Sequence, residues 1–332
     1  MLEVLSTPPL NSIQDLARPG FRDIGLCQGG AMDDLALSLA NVMVGNATGA
    51  AGIEIQTFPL RVRAQTEHRV AVTGAACTLK HRGHALPACW SIRLRSGEEL
   101  TIERPTSGAR AYLAVAGGID VETVMGSRST DFKHGFGGYQ GRALRAGDLL
   151  PVGATADVRR ADDFGIVPPE VALSFTQTTD VDSLPVRVIA GPEHDEFDPA
   201  SQHALWTSGW TVTTMSDRMG SRLSGATLTL AEPREMRSVG IIPGVVQVPP
   251  SGDPLIQLRD SNAAGGYPRI GVVIRADLWR IAQARPGATL RFHRVTRQQA
   301  VMADRKNRDF IERVGRDVAR YADMDAAATA RG

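Results

Sequence analysis

The chain has 332 residues, 42% of them hydrophobic and 22% charged, the balance of a globular protein rather than a disordered or fibrous one. Net charge is +1, so no field favours nucleic acid or another polyanion. No apolar run reaches the roughly 18 residues of a membrane span, and residues 1–9 lack the basic start and apolar core of a signal peptide, so a cytoplasmic protein is expected.

Two rare residue types narrow the chemistry. Lys80, Lys133 and Lys306 are the only lysines. None sits between methionines on a turn, the setting of a covalently carried biotin or lipoyl group, so no swinging-arm cofactor is expected. Cys27, Cys77 and Cys89 are odd in number and lack Cys-x-x-Cys spacing, which argues against a disulfide scaffold.

The first predicted element is a helix. Asp33 or Asp34 can cap it, Leu35, Leu39, Val42 and Met43 form its apolar side, and Gly45-Asn46 ends it. The glycines before it, Gly29-Gly30, make either a tight turn or a backbone anion site. Short apolar runs follow at 69–74 and 111–116, both bounded by turn residues and read as strands. His81-Arg82-Gly83-His84 reads as a hairpin tip. The glycine-rich segment Gly117-Gly118-Ile119-Asp120-Val121, Gly126-Ser127-Arg128-Ser129-Thr130 and Gly135-Phe136-Gly137-Gly138 needs sharp turns or close approach. Arg128 there either grips an anion through its planar fork or ties to carbonyls of its own loop, with Ser129 beside it.

Residues 154–182, with Pro168-Pro169, read as a linker between units at 1–153 and 183–297. Beyond it, 186–190, 244–248, 255–258 and 270–274 are further predicted strands. Ser216-Asp217-Arg218-Met219-Gly220-Ser221-Arg222 sets an acid between two arginines at a turn, as an ion-pair network or as substrate contacts. Gln247-Val248-Pro249-Pro250 and Asp260-Ser261-Asn262 with Gly265-Gly266-Tyr267-Pro268 bring an acid and a phenol near one loop. A short helix is expected from Asp277 to before Pro286. An amphipathic one follows from about Gln298 to Tyr321, with Phe310, Ile311, Val314 and Val318 on its apolar side, in a tail spanning 298–332 that frays from Ala326. The turn Arg95-Ser96-Gly97 recurs as Arg145-Ala146-Gly147 and Arg285-Pro286-Gly287, each feeding an apolar strand. Many short strands and few helices predict a mainly β protein of barrels or sandwiches.

These segments carry a resemblance. With Gly30-Ala31-Met32-Asp33, Ala116-Gly117-Gly118-Ile119-Asp120-Val121, Gly126-Ser127-Arg128-Ser129-Thr130, Ser216-Asp217-Arg218-Met219-Gly220, Gln247-Val248-Pro249-Pro250 and Gly265-Gly266-Tyr267-Pro268, the chain resembles the biotin-dependent carboxyltransferase family, also called allophanate hydrolase subunit 2. That family includes the C-type subunit of 5-oxoprolinase, the regulator KipA and part of the urea carboxylase carboxyltransferase domain.

The resemblance implies two cyclophilin-like β-barrel domains. It implies a separate, KipI-like B-type subunit and, in the oxoprolinase system, a third subunit. ATP or carboxybiotin would be supplied within that complex. Asp260, Tyr267, Asp217 and Arg218 become candidate catalytic residues. Arg128, Ser129, Arg222, Gln247, Asn262 and Asp33 become candidate substrate contacts for a small amide or lactam. The alternative it leaves open is a non-catalytic, KipA-like regulator that binds the KipI-like partner. The family pattern Gln-Thr-Thr before Gly-Gly-Tyr-Pro is Asn262-Ala263-Ala264 here, which removes two hydroxyls and shortens the amide.

Overall fold

The computed structural model describes residues 1–155, 162–173 and 183–329, so about half of the linker segment and the last three residues lie outside the described residues. Contacts divide the chain into two compact units. One comprises 1–18, 29–173 and 308–332, the other 19–28 and 174–307. The protein is mainly β, as its runs of short apolar segments predict.

The first unit holds two six-stranded sheets. Its core is aliphatic, with Leu2, Val4, Ile53, Ile55, Val70, Val72, Leu113 and Ile119 all buried. The strands His68–Gly74 and Ala111–Val115 pair antiparallel at the centre of one sheet, at the expected places. Helix Asp34–Met43 packs on both. Asp33 caps it, its Oδ1 accepting from the Ala36 amide at 2.8 Å. His81 pairs with His84 across a two-residue turn whose Arg82 and Gly83 both have positive φ, the geometry a tight hairpin requires.

The echoed Arg-x-Gly turns share one local structure. Gly97, Gly147 and Gly287 have φ of 82°, 88° and 91°. In each, the amide two residues after the serine, alanine or proline (Glu98, Asp148, Ala288) donates back to the arginine carbonyl, at 3.0, 3.2 and 2.9 Å. Two of the three carry an acid that also accepts from the arginine amide, Glu98 and Asp148, both at 2.8 Å.

Burial alone would raise the Glu98 carboxyl, but the Arg95 amide, Arg82 and His81 outweigh it and bring the pKa down to about 2. Lowered in the fold, Glu98 contributes stability that is present above its ordinary value of 4.5 and is lost as pH falls towards about 2. Glu98→Gln is expected to cost about 1–2 kcal/mol at pH 7. The gap to wild type should narrow as pH falls from about 4.5. Urea midpoints for both proteins at pH 7 and pH 3 check this, and a gap that widens in acid refutes it.

The second unit closes a seven-stranded barrel. Its order is Ser183–Ala190, Arg269–Val273, Val245–Gln247, Leu255–Gln257, Gly220–Ser224, Gly209–Val212 and Thr289–Arg294, the last pairing parallel with the first. Trp210 is fully buried, stacks on Phe292 at 6.1 Å and donates from Nε1 to the Leu205 carbonyl. A two-stranded ribbon, Val239–Gly240 with Ala264–Gly265, stands beside the barrel.

Two helical features differ from expectation. Pro199–Thr207 is a helix, capped by Asp198 with proline at its first turn. The terminal helix runs Arg297–Thr329, through residues expected to fray. It begins in a capping box, where Thr296 Oγ1 accepts from the Gln299 amide and Gln299 Oε1 accepts from the Thr296 amide. Phe310, Ile311, Val314 and Val318 are buried along it, as their spacing predicts.

Candidate functional site

A cleft of about 220 Å³ lies in the second unit, between barrel strands and the ribbon. Side chains alternate along a strand. Gly220 and Arg222, Leu255 and Gln257, and Gln247 therefore share the face turned away from the buried Leu223, Ile256 and Val246. Asn262, Gly265, Gly266 and Tyr267 complete the wall, with Met219 and Ile241 as its apolar part.

Five sequence candidates meet here: Asp217, Arg222, Gln247, Asn262 and Tyr267. Asp217 Oδ1 accepts from the Met219 and Gly220 amides at 2.7 and 3.1 Å, which folds the turn and fixes the carboxylate at the cleft. Arg222 is exposed, and its guanidinium bonds to no other described residue. Asp217 and Arg222 thus line one cleft without pairing to each other. Tyr267 is 45% exposed, and its hydroxyl likewise has no described partner.

Gln247 is buried. Its Nε2 donates to the Tyr267 carbonyl at 3.2 Å, and its Oε1 accepts from Gln257 Nε2 at 2.7 Å. Opposite it, a Cβ on Gly265 would stand 2.8 Å from Gln247 Nε2 and push that amide aside.

The other candidates lie elsewhere. Arg218 and Asp260 do not line the cleft. They form a two-pronged ion pair, Nε to Oδ2 at 2.8 Å and Nη2 to Oδ1 at 3.0 Å, with side chains only 8% and 12% exposed. Arg128, Ser129 and Asp33 belong to the first unit. Arg128 donates to the Val121 carbonyl and to Asp120, each at 2.8 Å, within its own loop. Ser129 is buried and donates to Asp15 Oδ1 at 2.5 Å. Asp33 is the helix cap already described.

Cys27, Cys77 and Cys89 are all buried and free of disulfides. Burial pushes the Cys89 thiol up to about 12, so it carries no thiolate near neutral pH. No helix among the described residues is long and apolar enough to cross a membrane.

Two further residues shape the cleft without standing out in the sequence. Gln257 lies inside Leu255-Ile256-Gln257-Leu258, where a polar side chain within an apolar strand is the signal. Arg22, from the 19–28 segment, donates Nη2 to the carbonyls of Ile241 and Asn262, both cleft-lining. Burial lowers its pKa. Nothing local in the sequence marks Arg22, because its partners lie more than 200 residues away.

Comparison with known proteins agrees with this architecture. Residues 24–294 match the family model described as carboxyltransferase domain, subdomain A and B. The C-type subunit of 5-oxoprolinase from Escherichia coli (strain K12) is 39% identical over 314 residues, covering 95% of this chain and 97% of that protein. Its counterpart from Haemophilus influenzae is 37% identical, covering 96% and 99%. The solved Kluyveromyces lactis urea carboxylase superimposes with a TM-score of 0.84 at 29% identity, over 94% of this chain and 29% of that one. For the K. lactis urea amidolyase the TM-score is 0.83 at 28% identity, and this chain spans only 20% of that protein. A model match over most of the chain and full-length relatives above 30% identity place the chain in the carboxyltransferase domain, subdomain A and B, family.

Proposed function

We propose that this chain is the C-type subunit of an ATP-dependent 5-oxoprolinase or a closely related amide-processing complex. Its barrel cleft would take a small anionic lactam or amide. The observation that carries the reading is the cleft itself. There the Arg222 guanidinium and the Tyr267 hydroxyl, without partners among the described residues, stand beside the buried amides of Gln247 and Gln257. An arginine fork and a phenol are donors suited to a carboxylate or a polarised carbonyl. The full-length relatives, named as the C-type component of 5-oxoprolinase, support the same chemistry.

In this reading the chain works with a separate, KipI-like B-type subunit and a third subunit. ATP or carboxybiotin enters from those partners, and nothing is carried covalently here. Asp217 holds the cleft turn and offers its second carboxylate oxygen to a substrate N–H or proton. Arg218 and Asp260 support that turn from behind.

A second reading is a KipA-like regulator that binds the KipI-like partner without catalysis. What favours it is exposed apolar surface: Met219 on the cleft wall is 41% exposed, and Met215 and Ile242, close in sequence to cleft residues, are exposed by 70% and 54%. Exposed apolar side chains suit a protein partner when they join into one patch.

Capture of the tagged chain from its native host, with mass spectrometry and an assay of ATP-dependent 5-oxoproline opening, separates the two. Recovery of the KipI-like partner with activity is the expected result. Recovery of that partner without activity favours the regulator. Recovery of the chain alone overturns both.

A further inference from the structure

We infer that Gln257 is a specificity-determining residue that presents a hydrogen-bond acceptor to the cleft, so that the ligand must bring an N–H donor. This rests on the reading of the barrel cleft as a lactam or amide site.

The orientation of the two amides follows from one fixed point. The Tyr267 carbonyl can only accept, so the Gln247 atom 3.2 Å from it is the nitrogen. The other end of Gln247 is then its oxygen, which can only accept. The Gln257 atom 2.7 Å from that oxygen is therefore nitrogen as well. The relay leaves Gln257 Oε1 as the free end, accepting from no described residue, on a side chain that lines the cleft. Neither amide can flip alone, because a flip would set oxygen against oxygen or leave the Tyr267 carbonyl facing one.

Gly265 keeps the relay in place, since any Cβ there would press on the Gln247 amide. In the same cleft, Arg222 and Tyr267 supply donors. The cleft thus sets the Gln257 oxygen, with the Asp217 carboxylate as a second acceptor, against a set of donors. A ring carrying an N–H beside a carbonyl and a carboxylate meets both. The same ring with oxygen in place of N–H meets only the donors, and its ring oxygen would face Gln257 Oε1.

The test is calorimetric titration of the full chain with 5-oxo-L-proline and with the corresponding lactone, 5-oxotetrahydrofuran-2-carboxylate. The lactam is expected to bind about tenfold to a hundredfold more tightly, the effect of leaving a polar pair unmatched. Gln257→Met, checked for folding by circular dichroism, should bring the two affinities within about threefold of each other. Equal binding of lactam and lactone by the wild-type chain overturns this inference while leaving the cleft a lactam site. No binding of either by the folded chain overturns the reading of the cleft and this inference with it. The wild-type ratio decides the matter even if Gln257→Met does not fold.

Discussion

Arg218→Ala is expected to destabilise the chain by about 2–4 kcal/mol, because it strands Asp260 as a largely buried, unpaired carboxylate, its side chain 12% exposed. The pair is two-pronged and nearly dry, and backbone bonds reinforce it. The Asp260 amide donates to the Arg218 carbonyl at 3.0 Å and the Leu258 amide to the Met219 carbonyl at 2.9 Å. These bonds tie the Asp217–Gly220 turn to the 258–260 loop, so loss of the pair also loosens one wall of the cleft. Arg218→Lys should restore little, since a point-charge ammonium cannot match both carboxylate oxygens. The double variant Arg218→Met/Asp260→Leu should recover most of the loss, because a buried pair replaced by packed apolar groups is often neutral or better. Urea midpoints for the single and double variants measure this, and a wild-type midpoint in Arg218→Ala contradicts it. Lost turnover in Arg218→Ala therefore does not by itself assign a catalytic role.

That distinction between neighbouring arginines is not legible in the sequence. Arg218 and Arg222 flank one turn and read as equivalent. What separates them is that a strand begins at Gly220. Alternation then sends Arg222 to the cleft face, while Arg218, in the turn before it, meets an acid 42 residues further on. Strand alternation can be read locally, but long-range pairing cannot.

Elements whose signals are local match their expectations. The Asp33 cap, the Arg-x-Gly turns and the apolar stripe of the last helix each depend on residues within one or two turns of each other. The Asp198-Pro199 helix start is an equally local signal that the strand-rich reading passes over. Arg128 and Ser129 are ambiguous in sequence because a glycine-rich loop can bind a ligand or itself. Their donors go to Val121, Asp120 and Asp15 within the first unit. Of the altered loop, Asn262 and Ala263 use their carbonyls structurally, accepting from Arg22 and from the Ile241 amide. Backbone bonds of that kind survive a change from Gln-Thr-Thr to Asn-Ala-Ala. The shape of the loop therefore does not depend on the lost hydroxyls.

Arg222→Ala is expected to weaken binding of 5-oxo-L-proline by about 10- to 100-fold, the effect of losing a charge-assisted hydrogen bond in a partly open site. Stability should move by no more than about 0.5 kcal/mol, since the side chain is exposed and bonds to no described residue. This contrast with Arg218 is what the geometry demands of a ligand-binding arginine beside a structural one. Removing the ligand's carboxylate should mimic removing the arginine. 2-Pyrrolidone, the same lactam ring without the acid, should bind wild type and Arg222→Ala alike.

The most direct test of the account is this cycle, run by calorimetry: wild type and Arg222→Ala, each titrated with 5-oxo-L-proline and 2-pyrrolidone. The variant is expected to lose affinity for the acid alone, with its unfolding midpoint unchanged. Equal affinity of both proteins for 5-oxo-L-proline would contradict it, and the barrel cleft would not be where the carboxylate is held.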